Sequence, residues 1–507
     1  MSYVLSSAQM KAMDKRTIKE LGFPARILME NAGNACADYL ISSYPEILKE
    51  KVIILHACGN NSGDGFVIAR RLFLAGINVI CVKVHDTSFT AESKLNYELC
   101  EKLQIPMLDY TMQTDSDDWM ILCSETYMLI DAVYGIGFRG DLSSLLKEVF
   151  GLANLFCKVR IAIDIPSGVN ADTGVCDESA FSATETLCIH CPKFGHLLNA
   201  GREYSGKLTT INIGIPPSYH NSIYQYLMDE DIIEYPTRFS QANKGTYGRV
   251  LVIGGSRGYS GSVIMASKAV LRSGAGYCLL MSRPEMEPHY YNISPEIMFR
   301  PVPEDENTGL PSGEKLQEIL KTVDSVVIGC GMGLDNYALT LLQFVLQYFP
   351  WPIVVDADAI RLIADNTGLQ KYLKQDNIVL TPHLGEFSRL CGRPVDAIAA
   401  DTVGELTGFV KKTKAQILLK NYTTVFCNRY GLAFSTTGND GLATGGSGDV
   451  LAGIIGSFAA QGLDIYVAAI NASYLMGKTA EFLATKRATP SIIPSDIIDN
   501  LFVHKES

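Results

Sequence analysis

The sequence predicts an α/β protein of two domains, each built on a parallel β-sheet. Its 507 residues exceed what one hydrophobic core usually holds. Short apolar runs also alternate with glycine loops and helical patterns, first from Val52 to Val84 and again from Arg249 onward. Between these halves the segment 216–237 loses its periodicity and contains three prolines. We therefore expect domains at 1–220 and 238–507, joined by a linker at 221–237.

Composition narrows the class of protein. The hydrophobic fraction of 47% is typical of a globular chain, and the formal net charge of −11 argues against a nucleic-acid partner. We find no apolar run of the length of a signal peptide or a membrane span, so no membrane partner is expected. The thirteen scattered cysteines indicate reduced thiols and a cytoplasmic location.

One cysteine pair has a recognisable spacing. Cys188 and Cys191 form a CxxC motif within the strand-like run LCIHCPK. This motif is consistent with zinc binding, with redox chemistry or with simple burial. No second cysteine pair lies nearby, so burial in a strand is the favoured interpretation.

The N-terminal half places polar residues after three strands. The run from Val52 to His56 is followed by CGNNSGDG (58–65), with a helix expected from Phe66 to Ala75. Asp131 and Asp164 end two further strands. Because the carboxyl ends of parallel strands share one edge of a sheet, these residues should converge there. Their oxygens suit a hard cation or the polar groups of a ligand; the alternative is a set of plain Asn/Gly turns.

The C-terminal half carries the strongest chemical signal, in the segment from Gly438 to Gly462. Its glycine-rich loop at 445–448 is followed directly by Asp449 and then by an apolar run at helical spacing. Such a loop directs backbone N–H groups at a helix N-terminus towards an anion such as phosphate. We interpret Asp449 as a base that deprotonates a hydroxyl beside a transferable phosphate; the alternative is a simple N-cap.

With these residues in view, the chain from about residue 5 to 505 resembles the bifunctional NAD(P)H-hydrate repair enzymes. In the first half the resemblance rests on LMENAG, GNNSGDG, DAVYGIGFRG and DIPSG. In the second half it rests on NKGTYGRVLVIGGS, GCGMG, VVDADA, TPHLGE and GLATGGSGDVLAGII. That family fuses a Rossmann-like NAD(P)HX epimerase to an ADP-dependent NAD(P)HX dehydratase of the ribokinase-like fold. The resemblance implies interconversion of R- and S-NAD(P)HX and dehydration of the S epimer to NAD(P)H.

The resemblance also implies the site residues of the epimerase half. Asp164 corresponds to its acid/base carboxylate, and Asn61, Asp131 and Ser167 correspond to ligands of a potassium ion. The implied substrate contacts, besides Asp164, are Asn60, Asn61, Ser62, Gly63, Asp64, Gly135, Ile136, Gly137, Phe138, Arg139, Gly140 and Asp141.

In the dehydratase half, Gly333, His383 and Asp449 correspond to positions that contact the hydrate, with Asp449 as the catalytic base. Mg²⁺ is expected beside the transferring phosphoryl group. The implied ADP site consists of Lys420, Asn421, Tyr422, Thr423, Thr424, Thr444, Gly445, Gly446, Ser447 and Gly448.

Two other interpretations stay open at this point. The anion loop and Asp449 would equally serve a small-molecule kinase of the same C-terminal fold, with the N-terminal half as a non-catalytic binding module. The N-terminal half of a repair enzyme could also have lost its activity, although Asn61, Asp131 and Asp164 argue against this. We expect NADHX, NADPHX and ADP as the small-molecule partners, and a homo-oligomer.

Overall fold

The structure of the chain is a computed structural model, which describes residues 2–85, 88–111, 114–290 and 294–502. The chain forms two compact units, Ser2–Gln225 and Tyr226–Ser507. The division falls inside the segment 221–237, and the residues after it pack on the C-terminal unit. Met228 is buried and donates its N–H to the carbonyl of Phe434 at 2.8 Å. Tyr235 packs edge-on against Phe458, so 226–237 is part of a folded unit.

A seven-stranded sheet forms the centre of the N-terminal unit. Its strand order is β3-β2-β1-β4-β5-β6-β7, and every pair is parallel. The order reverses between β1 and β4, where ligands of such sheets usually bind at the carboxyl ends. The strands are β1 (Lys51–His56), β2 (Asn78–Lys83), β3 (Met107–Asp109), β4 (Met128–Ala132), β5 (Val159–Ile163), β6 (Glu185–Ile189) and β7 (Lys207–Ile211).

The helices of this unit cover the sheet. They are α1 (Ser7–Lys19), α2 (Ala25–Ser43), α3 (Asn60–Leu74), α4 (Ala91–Lys102), α5 (Ser116–Ser124), α6 (Ser144–Phe156) and α7 (Gly201–Tyr204). One boundary differs from the sequence prediction: α3 begins at Asn60, not at Phe66. Gly59 is its extended N-cap, and the N–H of Gly63 bonds the carbonyl of Gly59 at 3.1 Å. The predicted loop 60–64 is therefore the first turn of a helix.

The C-terminal unit contains a ten-stranded sheet of order β11-β10-β9-β12-β13-β14-β15-β16-β17-β8. Neighbours from β11 to β15 are parallel, whereas β15, β16 and β17 form an antiparallel meander. The strands are β8 (Gln225–Leu227), β9 (Arg249–Ile253), β10 (Tyr277–Ser282), β11 (Ile297–Pro301), β12 (Ser325–Ile328), β13 (Ile353–Val355), β14 (Ile378–Leu380), β15 (Gln416–Leu419), β16 (Thr424–Cys427) and β17 (Leu432–Ser435).

The helices of this unit are α8 (Ser260–Arg272), α9 (Gly313–Leu320), α10 (Asn336–Tyr348), α11 (Ala357–Asp365), α12 (Leu384–Cys391), α13 (Val395–Ala400), α14 (Thr402–Thr413), α15 (Ser447–Ala460), α16 (Ile465–Ala484) and α17 (Pro494–Asp499). Buried α15 packs closely on α8: a Cβ at Gly453 would lie 2.3 Å from the Ala266 carbonyl oxygen. The last helix is short and spans Pro494–Asp499. Within the described ranges, every helix is too short or too polar to cross a membrane.

Candidate active sites at the two sheet edges

The N-terminal site centres on a buried ion pair between Asp164 and Lys193. Asp164 follows β5 in a left-handed backbone conformation (φ 68°) and accepts a hydrogen bond from Lys193 Nζ. Lys193 is fully buried, and its Nζ also donates to the carbonyl of Ile189 at 2.8 Å. The imidazole of His196 lies 2.8 Å from the Asp164 carbonyl oxygen. The buried ammonium thus holds the Asp164 carboxylate in place.

Two further carboxyl groups surround this pair. Burial and the Asp164 carboxylate raise the pKa of Asp14 to about 6, although Lys193 lowers it. Burial raises the pKa of Asp64 well above its usual range, and the Asp164 and Asp14 carboxylates add to this effect. The raised pKa values of Asp14 and Asp64 give the site a proton-holding capacity near neutral pH. Sequence reasoning missed Asp14 and Lys193; the only signal for Lys193 was a lysine directly after an apolar strand.

Three of the predicted residues, Gly135, Asp164 and Asn61, lie next to one another. A Cβ added to Gly135 would lie 3.3 Å from Asp164 Oδ2 and 3.4 Å from Asn61 Oδ1. The Asn61 amide is oriented because its Nδ2 donates to the carbonyl of Tyr134 at 2.9 Å. A side chain at this position would be crowded, and the glycine therefore lets an amide oxygen and a carboxylate oxygen lie side by side as two hydrogen-bond acceptors.

Other predicted contacts of the first loop have packing roles. The fully buried Ser62 Oγ donates to the Ala132 carbonyl and accepts from the Ala57 N–H, both at 2.9 Å, which joins the ends of β1 and β4. A Cβ at Gly63 would meet the Met29 side chain at 2.5 Å. Ser62 and Gly63 thus shape the α3 turn, and their side of it faces the interior.

The second predicted loop, 135–141, is largely exposed. Phe138 is the buried member and packs in the core, while Ile136 is half-buried. Arg139 donates to Asp172 Oδ2 at 2.7 Å and to Ser7 Oγ at 3.1 Å, which ties the loop to the start of α1. Gly137, Arg139, Gly140 and Asp141 lie on the surface, as does Asn60 at the start of α3.

The predicted potassium ligands form one hydrogen-bonded group. Asp131 is fully buried; its carboxylate accepts from Ser167 N–H and Ser167 Oγ, both at 2.7 Å, and from Val133 N–H at 3.1 Å. Tyr134 links the group to Asn61, because its N–H donates to Ser167 Oγ at 2.8 Å and its carbonyl accepts from Asn61. Burial raises the pKa of Asp131 to about 6, opposed by these hydrogen bonds. Asn61, Asp131 and Ser167 together offer oxygen atoms as ligands for an ion, and Asp131 is the carboxylate among them.

A cavity of about 1110 Å³ opens at the carboxyl edge of the C-terminal sheet. The residues of the predicted hydrate and ADP sites line it, apart from Thr423, which is buried. These lining residues are Gly333, His383, Lys420, Asn421, Tyr422, Thr424, Thr444, Gly445, Gly446, Ser447, Gly448 and Asp449. Sequence reasoning left out Tyr259, Asp356, Asp358 and Glu386, which also line it.

The glycine-rich loop of this cavity has the geometry of an anion site. Gly446 is left-handed (φ 101°), and Met265 leaves no room for a Cβ there, so only glycine fits. Helix α15 begins at Ser447 with no side-chain cap; the Ser447 N–H bonds the Thr444 carbonyl at 3.1 Å, and the next N–H groups, of Gly448 and Asp449, are those that can bind a ligand. A Cβ at Gly448 would lie 3.0 Å from Lys420 Nζ, so a cation stands beside the same loop.

Asp449 is the third residue of α15 and lies in its first turn, and the N-cap is Gly446, which excludes the N-cap interpretation. Its side chain lines the cavity and is nearly buried. Burial and the neighbouring Asp356 carboxylate raise its pKa to about 6, although hydrogen bonds from Cys330 and Ser262 lower it. A carboxyl group with this pKa accepts a proton more readily than an exposed aspartate and is still ionised at neutral pH.

The lysine of this site is paired as well. Lys420 Nζ donates to Asp356 Oδ1 at 2.8 Å, and Thr381 Oγ1 donates to the same oxygen at 2.8 Å. Burial lowers the pKa of Lys420, but the carboxylates of Asp356 and Glu386 outweigh it and raise the pKa above its usual range. Lys420 is thus a permanent cation that reaches into the cavity.

His383 and Gly333 also line the cavity, and His383 pairs with Lys420 through the backbone. His383 caps α12, since its Nδ1 accepts from the Gly385 N–H at 3.0 Å. This bond places the ring proton on Nε2, which lies 3.6 Å from Glu386 Oε1. Gly333 is left-handed (φ 87°), and its N–H donates to Asp358 Oδ2 at 2.9 Å.

These features define a class of enzyme: an α/β protein in which one unit presents a lysine-held carboxylate and the other places a buried base beside a phosphate-type loop. Family models match the two halves separately. The model for the N-terminus of YjeF-related proteins matches residues 25–195, and the NAD(P)H-hydrate dehydratase model matches 250–502.

Two relatives match the chain over nearly its whole length, and one solved structure matches about half of it. A bifunctional NAD(P)H-hydrate repair enzyme from Moorella thermoacetica is 31% identical, covering 98% of this chain and 96% of the relative. The one from Escherichia coli is 30% identical, covering 95% and 90%. A ribokinase-like protein structure from Enterococcus faecalis is 29% identical, with a TM-score of 0.49, over 56% of this chain and 96% of the other.

The chain belongs to the family of bifunctional NAD(P)H-hydrate repair enzymes. This confirms the family predicted from the motifs, the α/β fold class and the assignment as an enzyme. Its N-terminal half is the epimerase-type domain, and its C-terminal half is the dehydratase domain.

Proposed function

We propose that the chain performs both steps of NAD(P)H-hydrate repair: epimerisation of R- and S-NAD(P)HX in the N-terminal unit and ADP-dependent dehydration of the S epimer in the C-terminal unit. The observation that carries the second step is the arrangement of Asp449, the glycine loop and Lys420 around one cavity. A base, a phosphate cradle and a cation are the groups that phosphoryl transfer to a hydroxyl requires.

Dehydration of the hydrate needs its hydroxyl turned into a better leaving group. In the proposed reaction, Asp449 accepts the hydroxyl proton while the oxygen attacks the terminal phosphorus of ADP and AMP leaves. The first N–H groups of α15 and the Lys420 ammonium stabilise the negative charge on the transferring group. Loss of phosphate from this carbon, together with loss of a proton from the neighbouring ring carbon, then restores the carbon–carbon double bond of the dihydronicotinamide ring.

The carboxylates of the cavity fit the expected magnesium ion. Asp356 and Asp449 lie within 4.8 Å of one another through their ligand atoms, beside the loop that would hold phosphate. Mg²⁺ is usually held by one or two carboxylates together with substrate phosphates. When bound, it would neutralise phosphate charge. Asp356 also holds Lys420 in position, so it acts on the phosphate through the lysine as well.

In the N-terminal unit we assign the proton chemistry to Asp164. Lys193 fixes Oδ1, which leaves Oδ2 facing the space beside Gly135 and Asn61. A hydroxyl bound there can exchange its proton with Asp164 Oδ2, and Asn61 Oδ1 can accept a hydrogen bond from a second donor group of the substrate. The raised pKa of Asp14 and Asp64 supports a site that stores the proton between the two directions of the reaction.

We also propose potassium as the ion of the epimerase half. Asn61, Asp131 and Ser167 offer oxygen atoms and a single carboxylate, which suits a hard monovalent ion better than Mg²⁺. The ion would hold the ends of three elements together around the substrate. Epimerisation should therefore rise with potassium at constant ionic strength set with choline; a flat titration would contradict the proposal.

One assay separates this function from the rival kinase. Purified protein is mixed with both NADHX epimers and either ADP or ATP, and the absorbance of regenerated NADH is followed. Complete conversion supports both activities. No NADH, together with phosphorylation of an unrelated small alcohol, would instead establish the kinase.

The cellular location of the enzyme and its oligomeric state are also proposals. We propose that the enzyme works in the cytoplasm, which its cysteine usage supports. We also propose a homo-oligomer, which light scattering of the purified protein would test.

A further inference from the structure

Three metal-ligating side chains converge in the N-terminal unit outside the groups used above. His190 and Cys191 directly follow β6, and His220 ends the short turn Pro217–His220. The Nε2 atoms of His190 and His220 lie 3.0 Å apart, and Cys191 Sγ lies 3.8 Å from His220 Nε2. All three ligand atoms lie within 4.8 Å of one another. His190 and Cys191 are buried, and His220 is half-buried.

Within this cluster two hydrogen-bond donors compete for one acceptor atom, Nε2 of His220. His220 Nδ1 lies 3.2 Å from the Pro217 carbonyl oxygen, so the ring proton belongs on Nδ1. His220 Nε2 then carries a single lone pair. Both the His190 N–H and the Cys191 S–H point at that lone pair. A metal ion removes this competition, because it takes a lone pair from each of the three atoms; the Cys191 thiol proton leaves, and the His190 ring proton is carried on Nδ1 instead of Nε2.

The distances are close to those of a tetrahedral zinc site. With Zn–N of about 2.05 Å and Zn–S of about 2.3 Å, tetrahedral geometry separates two nitrogens by about 3.3 Å and a nitrogen from a sulfur by about 3.6 Å. The observed separations of 3.0 and 3.8 Å differ from these by a few tenths of an ångström. Small rotations of the rings would suffice.

The backbone and the neighbours hold the ligands in this position. His190 has a left-handed backbone (φ 67°), a conformation that is uncommon for residues other than glycine. The Tyr3 ring stacks on His220 with centroids 4.5 Å apart, and the N–H of Leu5 bonds the Pro192 carbonyl at 2.9 Å. The N-terminal segment thus covers the cluster and fixes the orientation of His220.

The CxxC motif does not itself form the cluster. Cys188 Sγ points to a different partner, His196 Nδ1 at 3.8 Å, so the two cysteines of the motif are separated in the fold. Cys191 instead joins two histidines, one adjacent in sequence and one 29 residues further along. Spacing alone concealed this set, since His220 comes from a distant turn.

We propose that His190, Cys191 and His220 form a binding site for a borderline transition-metal ion, zinc(II) in particular. Two imidazoles and a thiolate are ligands that zinc prefers, whereas Mg²⁺ and K⁺ prefer oxygen. Because His220 is only half-buried, water can occupy the fourth coordination position of the ion. Binding releases the Cys191 thiol proton to solvent and ties the turn 217–220 to Cys191, two residues before Lys193.

The test compares full-length variants after removal of metal with a chelator. Cys191→Ser and His220→Gln each remove one ligand, and Cys176→Ser removes a half-buried thiol of the same unit that lies outside the cluster. Zinc is titrated against a chromophoric chelator in competition. The two ligand variants should lose one tight zinc per chain, with affinity reduced by roughly a hundredfold or more, whereas Cys176→Ser should match the wild type.

Cobalt(II) provides a second measurement. The wild type should show a thiolate-to-cobalt charge-transfer band and tetrahedral d–d bands, and the charge-transfer band should be absent in Cys191→Ser. Circular dichroism of each variant checks its folding, and His220→Gln keeps the test decisive if the buried cysteine variant unfolds. Equal zinc stoichiometry and affinity in His220→Gln and Cys176→Ser would overturn the proposal. Unchanged cobalt spectra in a folded Cys191→Ser would do the same.

Discussion

Both halves of the chain place a lysine–aspartate pair at the carboxyl edge of a parallel sheet, but with opposite exposure. In the N-terminal unit the Lys193 side chain is 0% exposed and that of Asp164 is 12% exposed. In the C-terminal unit Asp356 is the buried partner at 2%, and Lys420 is 22% exposed. One site therefore presents a carboxylate to its ligand, and the other presents an ammonium group.

The difference corresponds to the two kinds of chemistry. A carboxylate held by a buried cation can exchange a proton with a hydroxyl, which epimerisation requires. An ammonium held by a buried acid can contact phosphate, which dehydration with a nucleotide requires. In each pair the buried partner orients the exposed one, so the exposed residue should control activity and the buried residue should control its position.

The largest expected effect is on the base of the dehydratase site. Asp449→Asn should lower dehydration of the S epimer by roughly a hundredfold or more while ADP still binds, because the amide cannot accept the hydroxyl proton. Regeneration of NADH and ADP binding by calorimetry are measured. Epimerisation by the same variant is the internal control and should be unchanged. Near-normal dehydration would exclude Asp449 as the base.

Much of this arrangement could be predicted from the sequence, because its signals are local. The glycine loop before Asp449 and the polar strand ends at Asp131 and Asp164 occupy short stretches next to predictable strands. The lysine partner of Asp164 could not be found in the same way. Lys193 meets Asp164 only because β5 and β6 are neighbours in the sheet and the chain turns back after β6.

The same limit explains the other omissions and the shifted boundary. Asp14 reaches the epimerase site from α1, far from any strand end, and no local pattern marks it. The start of α3 was placed too late because asparagine and glycine usually indicate turns, whereas here Gly59 caps the helix and Asn60 begins it. Residues that act within one short stretch can be predicted from the sequence. Contacts between distant segments are seen only once the fold is known.

A second prediction tests the exposure difference through stability. Asp164→Asn leaves the fully buried Lys193 without its counter-charge, so the free energy of unfolding should fall by about 3 kcal/mol. Asp356→Asn leaves the partly exposed Lys420, which water can solvate, so the loss should be nearer about 1 kcal/mol. Urea unfolding of the full chain measures both. Equal losses, or a larger loss for Asp356→Asn, would show that exposure does not distinguish the pairs.

The third prediction is a pH profile for dehydration. Asp449 must be ionised to act as a base, and its pKa is raised to about 6 by burial and by Asp356. The value of kcat/KM should therefore be constant above this pH and fall about tenfold per pH unit below it. Asp356→Asn removes a like charge, so any activity that remains should show its inflection at lower pH. An inflection that moves upward would contradict this electrostatic assignment.

The last prediction separates the two units. A fragment Tyr226–Ser507 contains one compact unit with its own sheet and cavity, so it should fold alone. Without the epimerase it should dehydrate the S epimer quickly and stall at about half of an equimolar mixture of epimers, apart from slow spontaneous epimerisation. Adding the full-length Asp449→Asn variant, which keeps the epimerase, should restore complete conversion.

A fragment beginning at Phe239 is the matched comparison. It lacks the buried Met228 and the Tyr235 ring that packs against Phe458, so it should unfold at a lower temperature than the Tyr226–Ser507 fragment. Rapid and complete conversion by the Tyr226–Ser507 fragment alone would show that the N-terminal unit does not supply the epimerase.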